Sequence, residues 1–301
     1  MENDGFKSGF ITLVGRPNAG KSTLVNAILG KKVAITSNTP QTTRHRFSAV
    51  LTRPDCQLVF VDTPGIHKPH DVLGEELNES ALQGLEGVDC CAFLVDASKP
   101  IGSGDEWVAR HVAKAKGAKV GVLTKTDLVD SAQLEEQMRS LAGLGDWQQI
   151  VSVCAKDGTG VQELLDCVTA LMPEGPLWFP ADMDTDQPIE VLVAEFIREK
   201  ILYRFRDEVP HAIGVVVEDM AYDAKRNLTE IYAFVYCERE SQKGMIIGKG
   251  GSALKEVGTS ARADLETLLG TRVFLDLRVK VRKNWRRDIN QIRRFGYGQG
   301  I

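Results

Sequence analysis

The sequence lacks the features that mark disulfide-bonded secreted proteins, zinc-binding domains or membrane-spanning proteins. Its six cysteines are scattered and form no CxxC pair, which argues against a disulfide framework or a zinc knuckle. No secretory leader is recognisable, so we expect a reducing, cytoplasmic compartment. The longest wholly apolar runs, such as 90–95, are far shorter than the roughly 20 residues that a membrane-spanning helix needs. We therefore expect no transmembrane segment.

The pattern that is present predicts two domains in the 301 residues. In the first half, continuous apolar stretches alternate with segments of helical period, which predicts an α/β fold with a mostly parallel sheet. The stretch 173–188 holds four prolines and predicts a linker. Beyond it the order reads helix, two strands, two helices and a strand. We expect domains at 1–172 and 189–285, followed by a basic C-terminal tail at 286–301.

Charge is distributed unevenly, although the formal net charge is only -4. Between Arg278 and Arg294 there are eight basic residues and one acid, whereas the rest of the chain is acidic. Such a run can be an ordinary solvated face, or it can attract a polyanion. A stacking role for Trp285 within the run and a purely structural role are equally open.

A glycine loop, GRPNAGKST at Gly15–Thr23, follows the first apolar stretch and precedes a helical pattern. It matches GxxxxGK[ST], the loop whose backbone N–H groups surround nucleotide phosphates. We expect Lys21 to reach the β and γ phosphates and Ser22 to ligate Mg²⁺. The phosphate-binding residues predicted from the loop are Gly15, Asn18, Ala19, Gly20, Lys21, Ser22 and Thr23.

Three shorter motifs follow strands further along the chain: DTPG at Asp62–Gly65, TKTD at Thr124–Asp127 and CAK at Cys154–Lys156. The carboxyl ends of parallel strands form the ligand-binding edge of such sheets. Asp62 can hold a metal-bound water, and Gly65 can offer its N–H to a γ-phosphate. The order of the four motifs predicts a nucleotide hydrolase.

These motifs resemble those of the translation-factor-related GTPases, and the C-terminal half narrows the resemblance to the Era family. The resemblance implies that Asp127 recognises guanine, that Lys125 packs along the base, and that Ala155 contacts the guanine carbonyl from the CAK element. Thr124 stands where the family usually has asparagine, and we expect this exchange to remove one amide contact to the base and to the phosphate loop. Cys154 replaces the usual serine.

The loop NTPQTTRHR, residues 38–46, supplies a Mg²⁺ ligand by the same resemblance, with Thr43 as the prediction and Thr42 as the alternative. Catalysis is then assigned to Lys21, Thr43 and Gly65. Many related enzymes place a glutamine after the DxxG glycine, but here the residue is Ile66, so we expect slow intrinsic hydrolysis. Asn18 resembles an asparagine that binds K⁺ in potassium-activated relatives.

A second glycine cluster, GKGG at Gly248–Gly251, lies between two predicted helices. Its spacing is wrong for a triphosphate, but GXXG between helices is the clamp of KH domains, which holds about four nucleotides of RNA. The helix and strand order resembles a type II KH domain. Predicted RNA contacts are Ile247, Gly248, Lys249, Gly250, Gly251, Lys280, Arg282 and Lys283.

The resemblance therefore implies a P-loop NTPase domain followed by an α+β type II KH domain, with GTP or GDP and Mg²⁺ as ligands. It implies binding to 16S rRNA and a role in assembly of the small (30S) ribosomal subunit, by a monomer in the cytoplasm. Two alternatives stay open. One is an RNA-binding chaperone whose nucleotide is barely hydrolysed, and the other uses the basic segment for peripheral association with the inner face of the cell membrane.

Overall fold

The computed structural model describes residues 5–69 and 71–298, and the chain forms two compact units. The first unit consists of Met1–His70, Gly74–Asp186 and Tyr297–Ile301, and the second of Asp71–Leu73 and Gln187–Gly296. In the part of the chain that the structure describes, no helix is both long and apolar enough to cross a membrane.

The first unit is built on a six-stranded sheet of order β2-β3-β1-β4-β5-β6. All neighbouring strands are parallel except β2, which pairs antiparallel with β3 at one edge. The strands are β1 Lys7–Gly15, β2 Phe47–Thr52, β3 Cys56–Asp62, β4 Cys90–Asp96, β5 Ala118–Thr124 and β6 Gln149–Val153. The parallel order places the ends of five strands, and the loops that follow them, along one edge of the sheet.

Five helices accompany this sheet: α1 Lys21–Leu29, α2 Val72–Gln83, α3 Ser103–Val112, α4 Ser131–Ala142 and α5 Val161–Leu171. Two apolar clusters form the core. One joins Ile11 and Leu13 of β1 to Leu24 of α1 and Leu164 of α5. The other contains Val14 of β1 together with residues of α2, α3 and α4. Because successive residues of β1 enter different clusters, the sheet is buried on both faces, as its continuous apolar strands predict.

The proline-rich stretch predicted as a linker is bonded to the first unit for most of its length. Ser8 N–H donates to the Pro173 carbonyl at 3.0 Å, and Val50 N–H donates to the Asp184 carbonyl at 2.9 Å. The Gln57 side chain accepts from Trp178 N–H and donates to the Phe179 carbonyl. Proline prevents a regular strand here, but the donors and acceptors between the prolines still pair with the sheet.

The second unit is a three-stranded sheet of order β7-β8-β9 with helices on one face. β7 and β8 are antiparallel, and β8 and β9 are parallel. The elements are α6 Ile189–Arg204, α7 Val209–Ala212, β7 Gly214–Asp223, β8 Leu228–Cys237, α8 Glu240–Ile247, α9 Ser252–Leu269, β9 Arg272–Val281 and α10 Ile289–Arg294. Short 3-10 turns lie at Lys249–Gly251 and Trp285–Arg287.

As far as residue 298, the segment predicted as a basic C-terminal tail packs against the rest of the chain. Trp285 is fully buried, donates its indole N–H to the Ala212 carbonyl at 2.9 Å and contacts Phe295 edge to face. Tyr297 is 1% exposed, and its ring lies 4.9 Å from that of His45 within the first unit. Aromatic burial therefore fixes this segment, and Trp285 serves as an anchor rather than as a surface for bases.

Candidate functional site

The glycine loop is shaped by contacts that only glycine allows. A side chain at Gly15 would place its Cβ 2.5 Å from the Leu94 carbonyl oxygen, and Gly20 has φ of +94°. Asn18 also has positive φ, at +64°, a conformation that asparagine tolerates better than most residues. The loop thus curls between β1 and α1, with the first turn of α1 directly after it. A helix N-terminus with free N–H groups is a ready site for phosphate.

Lys21 folds back over this loop and is 6% exposed. Its Nζ donates to the carbonyls of Gly15 at 3.4 Å and Arg16 at 3.3 Å. Burial lowers the pKa of Lys21 to about 8, although the Asp62 carboxylate acts in the opposite direction. A cation held in a dry loop interacts strongly with a phosphate that enters it, because little water screens the pair.

Ser22, Thr43 and Asp62 converge beside the loop. The Ser22 hydroxyl donates to Asp62 Oδ2 at 2.8 Å and lies 2.7 Å from the Thr43 hydroxyl. Burial raises the pKa of Asp62 to about 6, while Lys21 and the neighbouring hydroxyls act to lower it. Two hydroxyls and one carboxylate are the hard oxygen donors that suit Mg²⁺. The donor set therefore fits the metal predicted from the sequence, with Ser22 and Thr43 as ligands.

Thr42, the alternative to Thr43, is engaged elsewhere. Its hydroxyl donates to the Thr39 carbonyl and lies 2.7 Å from the Ser37 hydroxyl. These contacts hold the 38–46 loop on itself, whereas the Thr43 hydroxyl lies beside that of Ser22. Among described residues no cluster of three or more His, Cys, Asp or Glu side chains could hold a metal ion.

The DTPG turn approaches the glycine loop through its backbone. Ile66 N–H donates to the Gly15 carbonyl at 3.1 Å, and a Cβ on Gly65 would meet the Pro17 backbone at 2.7 Å. Ile66 is 1% exposed and packs in the core cluster with Val14. Its side chain therefore points away from any attacking water, in agreement with the expectation of slow hydrolysis.

His67, in the loop after the DTPG turn, contacts the 38–46 loop. Its Nδ1 lies 3.0 Å from the Gly65 carbonyl oxygen, and its Nε2 contacts the Gln41 amide. The sequence HKPH, at 67–70, is typical of a surface loop rather than of a metal site, and Gln41 is not among the predicted site residues. A contact between two loops far apart in the chain leaves no signal in residue spacing. His70, the other histidine of that motif, lies outside the described residues.

At the TKTD motif, Thr124 retains a contact that we expected to be lost. Its hydroxyl lies 2.7 Å from the Ala19 carbonyl and 3.1 Å from the Val95 carbonyl, with Ala19 inside the glycine loop. The expectation that threonine removes a contact to the phosphate loop was therefore wrong, because a hydroxyl on this short side chain reaches the backbone.

Lys125 and Asp127, the residues predicted to recognise the base, lie in the turn that follows β5. Lys125 has φ of +59° and donates from Nζ to Asp96 Oδ2 at 2.7 Å. Burial acts to raise the pKa of Asp96, but hydrogen bonds from Lys125 and Ser98 outweigh it and lower the pKa below its ordinary value. Asp127 is exposed in the 3-10 turn Thr126–Leu128. Asp96, which ends β4, is a positioning residue that the motifs did not reveal.

The CAK element follows β6 on the same edge of the sheet. Cys154 is 2% exposed, and its N–H donates to the Thr159 carbonyl at 2.9 Å. Ala155 is partly exposed and Lys156 is exposed. Cys154 thus closes the turn from inside. The strand order brings this turn next to the TKTD motif, because β5 and β6 are neighbours.

The second glycine cluster forms the turn between α8 and α9. Gly248, Gly250 and Gly251 have φ of +73°, +61° and +81°. A Cβ on Gly248 would lie 2.8 Å from that of Ala253, whereas Gly250 and Gly251 face open space. Ile247 is partly exposed and Lys249 is exposed on the same turn. Glycine is therefore required for packing at the first position and for backbone conformation at the others.

A groove of about 700 Å³ runs from this turn between α9 and the free edge of β9. Its basic lining consists of Arg226, Lys255, Arg262 and Arg272, and its apolar lining includes Leu254, Phe274 and Leu277. The acidic side chain, Glu266, accepts a hydrogen bond from Val273 N–H at 3.1 Å. Its negative charge is thus partly compensated, and the groove suits a polyanion that also carries apolar faces.

The structure does not bring Lys280, Arg282 and Lys283 into this groove. Lys280 lies on the opposite face of the sheet over the Phe234 ring, Arg282 lies over the Tyr236 ring, and Lys283 is exposed in the turn after β9. Sequence reasoning located the glycine turn but not the basic residues of α9. Those arginines and lysines are spaced too far apart to form a visible run.

The geometry of the first unit defines a P-loop GTPase, and the second unit has the organisation of a KH domain. A family model described as "50S ribosome-binding GTPase" matches residues 10–125, and a KH-domain model matches residues 208–286. The chain belongs to the Era family of GTPases. GTPase Era of Streptomyces coelicolor is 50% identical over 97% of this chain and 95% of its own length, and that of Mycobacterium avium is 46% identical over 97% and 99%.

Two solved structures resemble this chain over nearly its whole length. An Aquifex aeolicus Era variant bound to GDP·AlF4⁻ is 36% identical, with a TM-score of 0.94 over 98% of this chain and 100% of that one. An Era complex with MgGDPNP and nucleotides 1506–1542 of 16S ribosomal RNA is 37% identical, with a TM-score of 0.93 over the same shares. The predicted fold class, a P-loop domain followed by a KH domain, is confirmed.

Proposed function

We propose that this GTPase is a switch that binds 16S rRNA near its 3′ end and assists assembly of the small (30S) ribosomal subunit. This proposal is best supported by the presence, in one chain, of a complete nucleotide site and a basic groove that begins at a GXXG turn. The relative solved with MgGDPNP and a 16S rRNA segment carries both ligands on the same architecture. We place the protein in the cytoplasm, as a monomer.

The nucleotide site acts by positioning and by neutralising charge, as phosphoryl transfer to water requires. Lys21 meets the β and γ phosphates, and Gly65 offers its N–H to the γ-phosphate. Ser22 and Thr43 would hold Mg²⁺, which would supply charge neutralisation to the phosphates. Asp127 accepts from the guanine base, and Lys125, fixed by Asp96, packs along it.

Switching follows from the contacts that Thr43 and Gly65 make. Both lie in loops whose backbone can close on a γ-phosphate and relax when it leaves. Hydrolysis is slow because Ile66 cannot orient water, so turnover depends on backbone groups, on a partner or on K⁺ near Asn18. The Asn18 amide nitrogen donates to the Asn38 carbonyl at 2.8 Å, a bond that does not consume the side-chain oxygen that would bind K⁺.

Crosslinking the protein to RNA in cells and sequencing the attached RNA tests the ribosomal assignment. We expect reads concentrated near the 3′ end of 16S rRNA, and their loss in a Gly250→Asp variant. Reads scattered over messenger RNA would contradict the assignment. Accumulation of immature small subunits on depletion of the protein tests the assembly role independently.

Multiple-turnover phosphate release, with and without the RNA, separates a switch from a chaperone with structurally bound nucleotide. The buried Ile66 is the observation that favours the chaperone. A switch releases phosphate repeatedly and faster with RNA, whereas a chaperone releases at most one equivalent. Vesicles with anionic lipid test peripheral membrane association: Gly250→Asp should weaken RNA binding and spare lipid binding if the basic segment acts alone.

A further inference from the structure

The sheet of the second unit has an open face as well as the face covered by helices. Along β8 the residues alternate, and the set on the helix side is buried. The other set points to the opposite face and carries three aromatic rings, of Tyr232, Phe234 and Tyr236. Strand register adds Phe274, Asp276, Arg278 and Lys280 from β9 to the same face. We call these seven residues the open sheet face.

Aromatic rings and a cationic side chain are in contact on this face. Tyr232 and Phe274 meet edge to face with centroids 6.1 Å apart, and Lys280 Nζ lies 3.2 Å from the centre of the Phe234 ring. Phe274 is 49% exposed. At the other end Tyr236 is buried, and its ring centroid lies 5.2 Å from that of Phe295. The exposed apolar surface of the face is therefore largest at Phe274.

Two acidic groups near the face form ion pairs with neighbouring arginines. Asp276 pairs with Arg278 at 2.9 Å, and Glu230 pairs with Arg226 at 3.2 Å. Asp219, opposite Tyr232 in β7, forms an acidic margin. Lys280 is exposed and is held over a ring, so its ammonium group can turn to a phosphate while its stem stays in place.

Phe274 connects the open sheet face to the groove. It lines the groove beside α9 and also contacts Tyr232 across the strand. Because β9 is an edge strand, a chain leaving the groove can pass around it without crossing another element. A flexible polymer held at the glycine turn would then meet Phe274, Tyr232 and the Lys280–Phe234 pair.

We propose that the open sheet face is a second RNA-binding surface, which stacks bases of the single-stranded segment that extends beyond the groove. The proposal rests on RNA binding by the groove. Aromatic rings stack on any unpaired base, and cations beside them meet the phosphates. Exposed rings beside Lys280, on a surface continuous with the basic groove, fit RNA better than a protein. The RNA footprint is accordingly longer than the four nucleotides of the GXXG clamp.

The test compares short and long RNA on the full chain. The short oligonucleotide has about five single-stranded nucleotides, which fill the groove. Two longer oligonucleotides of about ten nucleotides contain the same sequence and extend it on the 5′ side or on the 3′ side. Fluorescence anisotropy gives their affinities for the native chain and for Tyr232→Leu combined with Lys280→Gln. Leucine keeps the apolar volume but removes the ring. We expect the affinity for one longer oligonucleotide to fall at least about tenfold, from loss of one stacked base and one phosphate contact, with the short one unchanged.

Tyr222→Leu is the matched control, because this tyrosine is 58% exposed on β7 but pairs with Thr229, on the helix side of the sheet. It should leave both affinities unchanged. Equal losses for the two lengths, or no loss for either, would overturn the open sheet face as an RNA site. The second outcome is expected if the face serves a protein. Failure of the native chain to bind any oligonucleotide would instead contradict RNA binding by the groove.

Discussion

The two glycine turns of this protein handle phosphate in different ways. The P-loop is compact: its lysine is buried, and Gly15 packs against the Leu94 backbone. The GKGG turn is open: Lys249 is exposed, and a Cβ at Gly250 meets nothing within 4 Å. A triphosphate has one shape and binds best in a preformed, desolvated pocket. An RNA backbone is long and flexible, and it binds and dissociates along an open surface. The difference predicts that substitutions will separate the two functions cleanly.

Lys21→Ala is expected to have the largest effect. Removal of the buried ammonium eliminates charge-assisted hydrogen bonds to phosphate, each worth about 1.5–3 kcal/mol, so GTP affinity should fall about 100-fold or more. It also leaves the Asp62 carboxylate without its cation in a desolvated site. Isothermal titration with GTP measures the loss. RNA affinity, measured without nucleotide, should stay unchanged, and a parallel loss there would refute the separation of the two turns.

Gly250→Asp is the reverse experiment. Aspartate tolerates the positive φ at this position, and open space accommodates it, so the fold should persist. The added negative charge faces incoming phosphates, and RNA affinity should fall at least about tenfold, with a smaller loss at high salt. Lys243→Asp on the neighbouring helix is a control for a general change in charge. Basal GTP hydrolysis should be the same in all three proteins.

The sequence predicts these turns well because each depends on local chemistry. The motifs GxxxxGK[ST] and GXXG contain the glycines that the backbone conformation of each turn requires. The apolar pattern also predicts the helix and the strand that follow the second turn, α9 and β9. The antiparallel edge strand β2 was missed, since its sequence FSAVLT follows a polar loop and carries no turn signal. Asp96, Gln41 and Arg262 were missed for another reason. Their roles come from contacts between elements distant in the chain, which residue spacing does not encode.

Thr124→Val should have a moderate effect on the compact site alone. Valine has the shape of threonine but lacks the hydroxyl that reaches Ala19 in the P-loop at 2.7 Å. Loss of a buried hydrogen bond costs about 1 kcal/mol, so GTP affinity should fall roughly fivefold. Thr126→Val, in the adjacent 3-10 turn, is the matched control and should bind GTP normally. If both variants bound as the native chain does, the hydroxyl would not be holding the loop.

Exchange of sodium for potassium should have the most informative effect on the compact site. If the Asn18 oxygen binds K⁺ beside the phosphates, the added positive charge stabilises the transition state, and turnover should be roughly tenfold higher in KCl than in NaCl. Asn18→Gly removes the oxygen while glycine accepts the φ of +64°, so the two salts should then give equal rates. RNA binding depends on total ionic strength and should respond equally to both salts. A rate that is already equal in the native chain would assign the slow turnover to backbone groups or a partner alone.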